Sequence, residues 1–115
     1  GHSHSYERSV LLDGHYGRSG TLEPSMVLDG GDGREDGTGA YAKDTYGPAP
    51  HQGAVYVVAG SSGKVGGGSF DHPIMVASLP ELGSVVIDVA GSRLDASFLT
   101  DTGSIDDHFT LVKGP

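Results

Sequence analysis

The sequence predicts a mainly β protein, built from antiparallel strands and hairpins joined by long Gly-rich loops. Three observations predict this. The apolar residues fall in short, β-branched runs bounded by turn chemistry. Glycine supplies 20 of the 115 residues. No stretch sustains the 3.6-residue period of a long helix, and no internal repeat is found.

The elements follow in chain order. Ser9-Val10-Leu11-Leu12 is an apolar run that ends at the turn pair Asp13-Gly14, so a strand is expected near 9–12. Residues 13–53 lack periodicity and carry Gly30-Gly31-Asp32-Gly33, Asp36-Gly37-Thr38-Gly39 and Gly47-Pro48-Ala49-Pro50. They read as a long irregular loop, with Met26-Val27-Leu28 as a brief strand inside it. Ala54-Val55-Tyr56-Val57-Val58-Ala59 reads as a strand buried on both faces, and Gly60-Ser61-Ser62-Gly63 breaks it. Ile74 to Leu79 fits either a strand or a short helix. Ser84-Val85-Val86-Ile87-Asp88-Val89 is a strand, and Ala90-Gly91-Ser92 a hairpin connection. In Arg93 to Leu99, alternation puts Leu94, Ala96 and Phe98 on one face and Arg93, Asp95 and Ser97 on the other. Asp107 to Val112 closes the series, and antiparallel connections are expected among the last three strands.

At 115 residues the chain fits one domain, 1–115, able to bury about two thirds of its extended surface. Side-chain-bearing apolar residues make up only 36%, so few side chains are available to fill a core. The net charge of −8 argues against a nucleic-acid backbone or an anionic membrane as partner. With no cysteine there is neither a disulfide nor a thiolate metal site, and the compartment stays open. No apolar run approaches the roughly 18 residues of a spanning helix.

The candidate chemistry lies at the start, in Gly1-His2-Ser3-His4. In an extended segment, residues i and i+2 project to the same side, so His2 and His4 can reach one metal or two adjacent metals. The spacing alone also fits a solvated terminus or the remnant of a purification tag. Of the other histidines, His15 in Asp13-Gly14-His15-Tyr16 and His72 in Asp71-His72-Pro73 are candidates for the substrate side or for additional ligands. The competing readings are a surface-loop imidazole for His15 and a local hydrogen bond for His72. His51 reads as solvent-facing, and Asp106-Asp107-His108 as an exposed cluster. Asp29, Asp32 and Asp36 do not match the ligand spacing of an EF-hand, so Asp29 to Gly39 reads as a mobile, solvated loop. No Ser/His/Asp triad stands out from so many serines and aspartates.

Gly1-His2-Ser3-His4-Ser5-Tyr6-Glu7-Arg8 resembles the last metal-binding motif of the calcineurin-like metallophosphoesterases, in particular the Gly-His-x-His-x-Tyr-Glu-Arg of the purple acid phosphatase branch. Gly53 to Gly63, Leu82 to Val89 and Arg93 to Leu99 are similar to the strands that follow it, so the resemblance spans essentially the whole chain. It implies the C-terminal half of a metallophosphoesterase β-sandwich. It also implies a dinuclear Zn, Fe or Mn centre with His2 and His4 as ligands, and hydrolysis of phosphate mono- or diesters. A glycoside or carboxylic ester is an alternative substrate for such a centre. The family's other ligand motifs precede Gly-His-x-His, so the resemblance implies an N-terminal part of the catalytic domain that supplies them. Strands deprived of that part would expose apolar surface, Val55 to Ala59 first. The alternative expectation is therefore a non-catalytic, metal-binding homo-oligomer in which copies pool His2 and His4.

Overall fold

The computed structural model describes residues 3–66 and 72–114. Among the described residues there are nine strands and two single-turn 3-10 segments, and no α-helix. The mainly β expectation holds, and antiparallel pairing dominates.

The first sheet is built on β1 (Tyr6–Ser9), which runs antiparallel between β5 (Val57–Ala59) and β6 (Met75–Leu79). Glu7 faces Val58 on one side and Ser78 on the other. The first strand thus starts earlier than the apolar run suggests. Its residues are Tyr, Glu, Arg and Ser, all buried, and their burial is decided by side-chain partners rather than by hydropathy. Val10 leaves the ladder to bond Ile74, and the chain resumes as β2 (Leu11–Leu12), paired with β3 (Val27–Asp29). Of residues 74–79, ambiguous in the sequence, Met75–Leu79 are strand.

The second sheet has the order β4-β9-β8-β7. β7 (Gly83–Ala90) and β8 (Arg93–Thr100) form a hairpin closed by Gly91-Ser92, with Gly91 at φ +61°, where a glycine is favoured. β9 (Ile105–Lys113) returns antiparallel to β8. The strand absent from the sequence reading is β4 (Tyr41–Lys43), which joins β9 in parallel from inside the 13–53 segment. Three residues carry no legible alternation, and a parallel partner 70 positions away (Tyr41 to Leu111) leaves no local signal.

Register aligns one face of this sheet. Val85, Phe98 and Asp107 form one cross-strand row, and Ile87, Ala96 and Phe109 the next. Leu11, Tyr41, Ala96 and Phe109 form the larger apolar cluster, with Val10, Leu12 and Ile74 in a second. β5 corrects the sequence reading. Only Val57–Ala59 are strand; Val57 is 38% and Tyr56 48% exposed, because β5 is the outer strand of its sheet rather than an interior one.

Candidate functional site

β1 alternates between two surroundings. Tyr6 and Arg8 point onto the four-stranded sheet, and both are fully buried. Tyr6 stacks on Phe98 with ring centroids 4.2 Å apart, and the Arg8 guanidinium lies 5.0 Å from the Phe109 ring centre. A buried guanidinium needs an anion, and Asp107 supplies it. Arg8 donates to Asp107 through Nε (2.6 Å) and Nη2 (2.9 Å) in a bidentate pair. Tyr6 Oη donates to the same carboxylate at 2.6 Å, and Arg34 Nη2 does so at 2.9 Å. Arg8 Nη1 donates to Tyr41 Oη, which itself donates to the Gly31 carbonyl at 2.7 Å.

Protonation follows from these contacts. Burial pushes the Asp107 carboxyl up, but the bonds from Arg8, Tyr6 and Arg34 outweigh it and hold its pKa below the usual range. Burial, reinforced by Asp107, pushes the Tyr6 phenol far above its ordinary value, so it remains a neutral donor. The Arg8 pKa is raised: burial opposes its charge, and Asp107 overrides that. Tyr6 and Arg8, which follow the histidines, are therefore the anchor of the segment. The reading of Asp106-Asp107-His108 as an exposed cluster is corrected for Asp107, which is 1% exposed.

The loop supplying Arg34 is organised around Asp32. This carboxylate accepts bonds from the Arg34 amide (2.9 Å), the Thr38 amide (3.1 Å) and the Thr38 hydroxyl (2.9 Å). The two backbone amides, Arg34 first, draw its pKa down to about 2. Gly33, at φ +71°, passes under Tyr41, where a Cβ would meet the ring at 2.4 Å. The Thr110 amide donates to the Gly33 carbonyl at 2.8 Å, tying the loop to β9. These bonds describe a loop with a built conformation, while Glu35 to Thr38 are exposed to solvent as expected.

The candidate ligands sit as follows. His4 is half-buried just before β1, and its backbone is bridged to Gly66 by two hydrogen bonds of 3.1 and 3.0 Å. Its position is therefore held from both sides, by Gly66 and by the Tyr6–Arg8 anchor. His2 lies outside the described residues. His15 and His72, far apart in sequence, meet edge to face with centroids 5.9 Å apart. His15 Nε2 donates to the Arg18 carbonyl at 3.2 Å, which leaves its Nδ1 lone pair in the tautomer of a metal ligand. His72 Nδ1 accepts from the Ile74 amide at 3.3 Å, so in the neutral ring its Nε2 carries the proton and is a donor. His51, exposed, pairs with Asp13 at 2.9 Å, and His108 faces Asp36 at 3.6 Å.

Among the described residues, no three His, Asp or Glu side chains converge in an arrangement that could hold a metal ion. His4, His15 and His72 thus do not share one centre, and the described residues alone do not complete a metal shell.

Sequence reasoning singled out His4 as a candidate and missed what holds its segment. Arg8 on the apolar side of a strand signals a buried counter-ion, but nothing local selects Asp107 among 15 acidic residues. No family model, no curated protein and no solved structure matches the chain.

Proposed function

We propose that the chain is the C-terminal portion of a metal-dependent hydrolase acting on phosphate mono- or diesters, in which His2 and His4 each give an imidazole to a divalent transition metal, Zn, Fe or Mn. The remaining ligands come from residues outside this sequence, in a preceding part of the catalytic domain. One observation carries the reading. The residues that complete the metallophosphoesterase-like motif, Tyr6 and Arg8, are the buried clamp that holds the segment bearing His4. A histidine needed only as a solvated end would not require an ion pair and a stacked aromatic directly behind it. Placing a ligand to within a fraction of an ångström does require such support.

Bound there, such a metal supplies Lewis-acid stabilisation of phosphoryl oxygens and lowers the pKa of a coordinated water. The chain's own contribution is positional. Asp107 and Tyr41 fix Arg8, Arg8 and Tyr6 fix β1, and β1 with Gly66 fixes His4.

Elemental analysis of the protein purified together with the preceding part of its catalytic domain, paired with the His2→Ala/His4→Ala variant of the same protein, tests this. Bound Zn, Fe or Mn that disappears in the double variant is expected, together with loss of any p-nitrophenyl phosphate hydrolysis. Metal content that is unchanged in the double variant, or absent from the wild type even after incubation with each ion, would overturn it.

A further inference from the structure

A cavity of about 300 Å³ opens between β3, β4 and residues 51–52, and neither His4 nor the buried clamp lines it. Along the first strands Tyr6 pairs with Ala59 and Leu12 with Ala54, so Asp13 and His51 lie at the end of that ladder opposite to His4. Buried Leu11 forms the floor of the cavity, with Leu28 beside it. Half-buried Asp29, Lys43 and Gln52 form the walls, and exposed Asp44 and His51 stand at the mouth.

His51 is held over this mouth against a conformational penalty. It is the one non-glycine residue with positive φ among the described residues, at +60°. Its Nδ1–H donates to Asp13, 38 positions away, at 2.9 Å, which leaves the Nε2 lone pair available. The segment is pinned just beyond, where Leu12 and Ala54 exchange backbone bonds of 3.0 and 2.7 Å. With its side chain 83% exposed, His51 contributes little packing in return for the strain, which is the mark of a residue placed for a ligand.

The lining selects the class of ligand. Lys43 enters no ion pair among the described residues, although two carboxylates line the same cavity. Asp29 uses only Oδ1, which accepts from the Gly31 amide at 2.9 Å. A simple anion would meet Asp29 and Asp44, and a simple cation would meet Lys43. No three of the described acidic and imidazole groups converge in an arrangement for a metal ion. A molecule of both signs satisfies all three charges. Two carboxylates against one ammonium favour two cationic groups and one anionic group, and a volume at the lower end of small-molecule sites favours a small ligand. We infer that the cavity binds a free basic α-amino acid. Its carboxylate meets Lys43 and the Gln52 amide, and its cationic groups meet Asp29 and Asp44. Its methylene chain lies over Leu11 and Leu28, and His51 covers the mouth. Such binding is independent of the metal centre proposed above.

Isothermal titration calorimetry tests this on the protein purified together with the preceding part of its domain, in EDTA so that no metal centre competes for the ligand. L-Lysine should bind about tenfold or more tighter than L-glutamate, whose charge balance is reversed, and than 1,5-diaminopentane, which lacks the carboxylate. Lys43→Met keeps the length of the side chain and removes its charge. It should weaken L-lysine by about tenfold or more and tighten 1,5-diaminopentane. His51→Asn keeps a residue that tolerates positive φ, so it should weaken L-lysine while leaving Tm nearly unchanged. An L-lysine titration that does not saturate at millimolar concentration, tighter binding of L-glutamate, or equal binding of 1,5-diaminopentane would overturn the inference. These three outcomes are read on the wild type, so they stand even if a variant fails to fold. Undiminished L-lysine affinity in Lys43→Met would overturn it as well, and in His51→Asn would overturn the part given to His51.

Discussion

Replacing Asp107 by Asn tests the buried clamp most directly. The change keeps shape and removes charge. Two donors, Tyr6 Oη and Arg8 Nε, meet one carboxylate oxygen, and Arg8 Nη2 and Arg34 Nη2 meet the other. However the amide turns, its NH2 faces two donors, and Arg8, with 1% side-chain exposure, keeps an uncompensated charge. Breaking a buried pair from one side costs about 3–5 kcal/mol. For a chain of 115 residues the total stability is expected at about 6–17 kcal/mol, so the variant loses a large share of it. With an unfolding entropy of about 0.24 kcal/mol/K for this length, Tm should fall by about 12–20 °C. Thermal unfolding followed by far-ultraviolet circular dichroism is the assay, since the chain has no Trp. Tyr6→Phe keeps the stack on Phe98 and removes a single donor, so it should cost about 1–2 kcal/mol. A shift below about 4 °C for Asp107→Asn, or a larger loss for Tyr6→Phe, would refute the idea that this ion pair holds β1 to the sheet.

Other outcomes follow from the same contacts. Gly33→Ala meets both a positive φ and the buried Tyr41 ring, and should cost at least about 2 kcal/mol in urea unfolding, whereas Gly91→Asn, at φ +61° with open space around it, should change little. The depressed carboxyl pKa values of Asp107 and Asp32 give stability that is complete above the unfolded value of 3.8 and is lost as pH falls through the lower folded values, so the urea midpoint should hold above about pH 5 and drop between about pH 4 and pH 2. Glu81 acts with the opposite sign. Its pKa is raised, first by the carboxyl of Asp106, so it destabilises the ionised state at neutral pH, and Glu81→Gln should raise the midpoint at pH 7.

The hairpin of β7 and β8 was legible because its signals are local. Leu94, Ala96 and Phe98 alternate with polar residues, and Gly91 sits where the turn needs positive φ. His4 could be singled out as a candidate for a similar reason, since a His-x-His spacing is a property of neighbouring residues. β1 was not. Its residues are polar, and they are buried because Asp107, 99 positions beyond Arg8, closes the charge. The Asp29 to Gly39 loop was read as solvated from its composition. Its conformation depends on Asp32 reaching its own backbone and on Tyr41 lying over Gly33. The pairing of His15 with His72 also lay beyond reach, as it requires β2 and β6 to be placed first.

By itself, then, the sequence determined the β class, the apolar alternation and turns of the C-terminal strands, the absence of thiol chemistry and the pair of histidines at its start. These are set by residue chemistry and by periods of two, which act over a few bonds. Only the tertiary structure decided that Tyr6 and Arg8 are core residues, that Tyr41–Lys43 is a parallel strand, and that Val57–Ala59 and, among the described residues, β7 are outer strands of their sheets. Each of these depends on which distant group supplies a counter-charge or a hydrogen-bond partner, and that is settled only when the chain closes on itself.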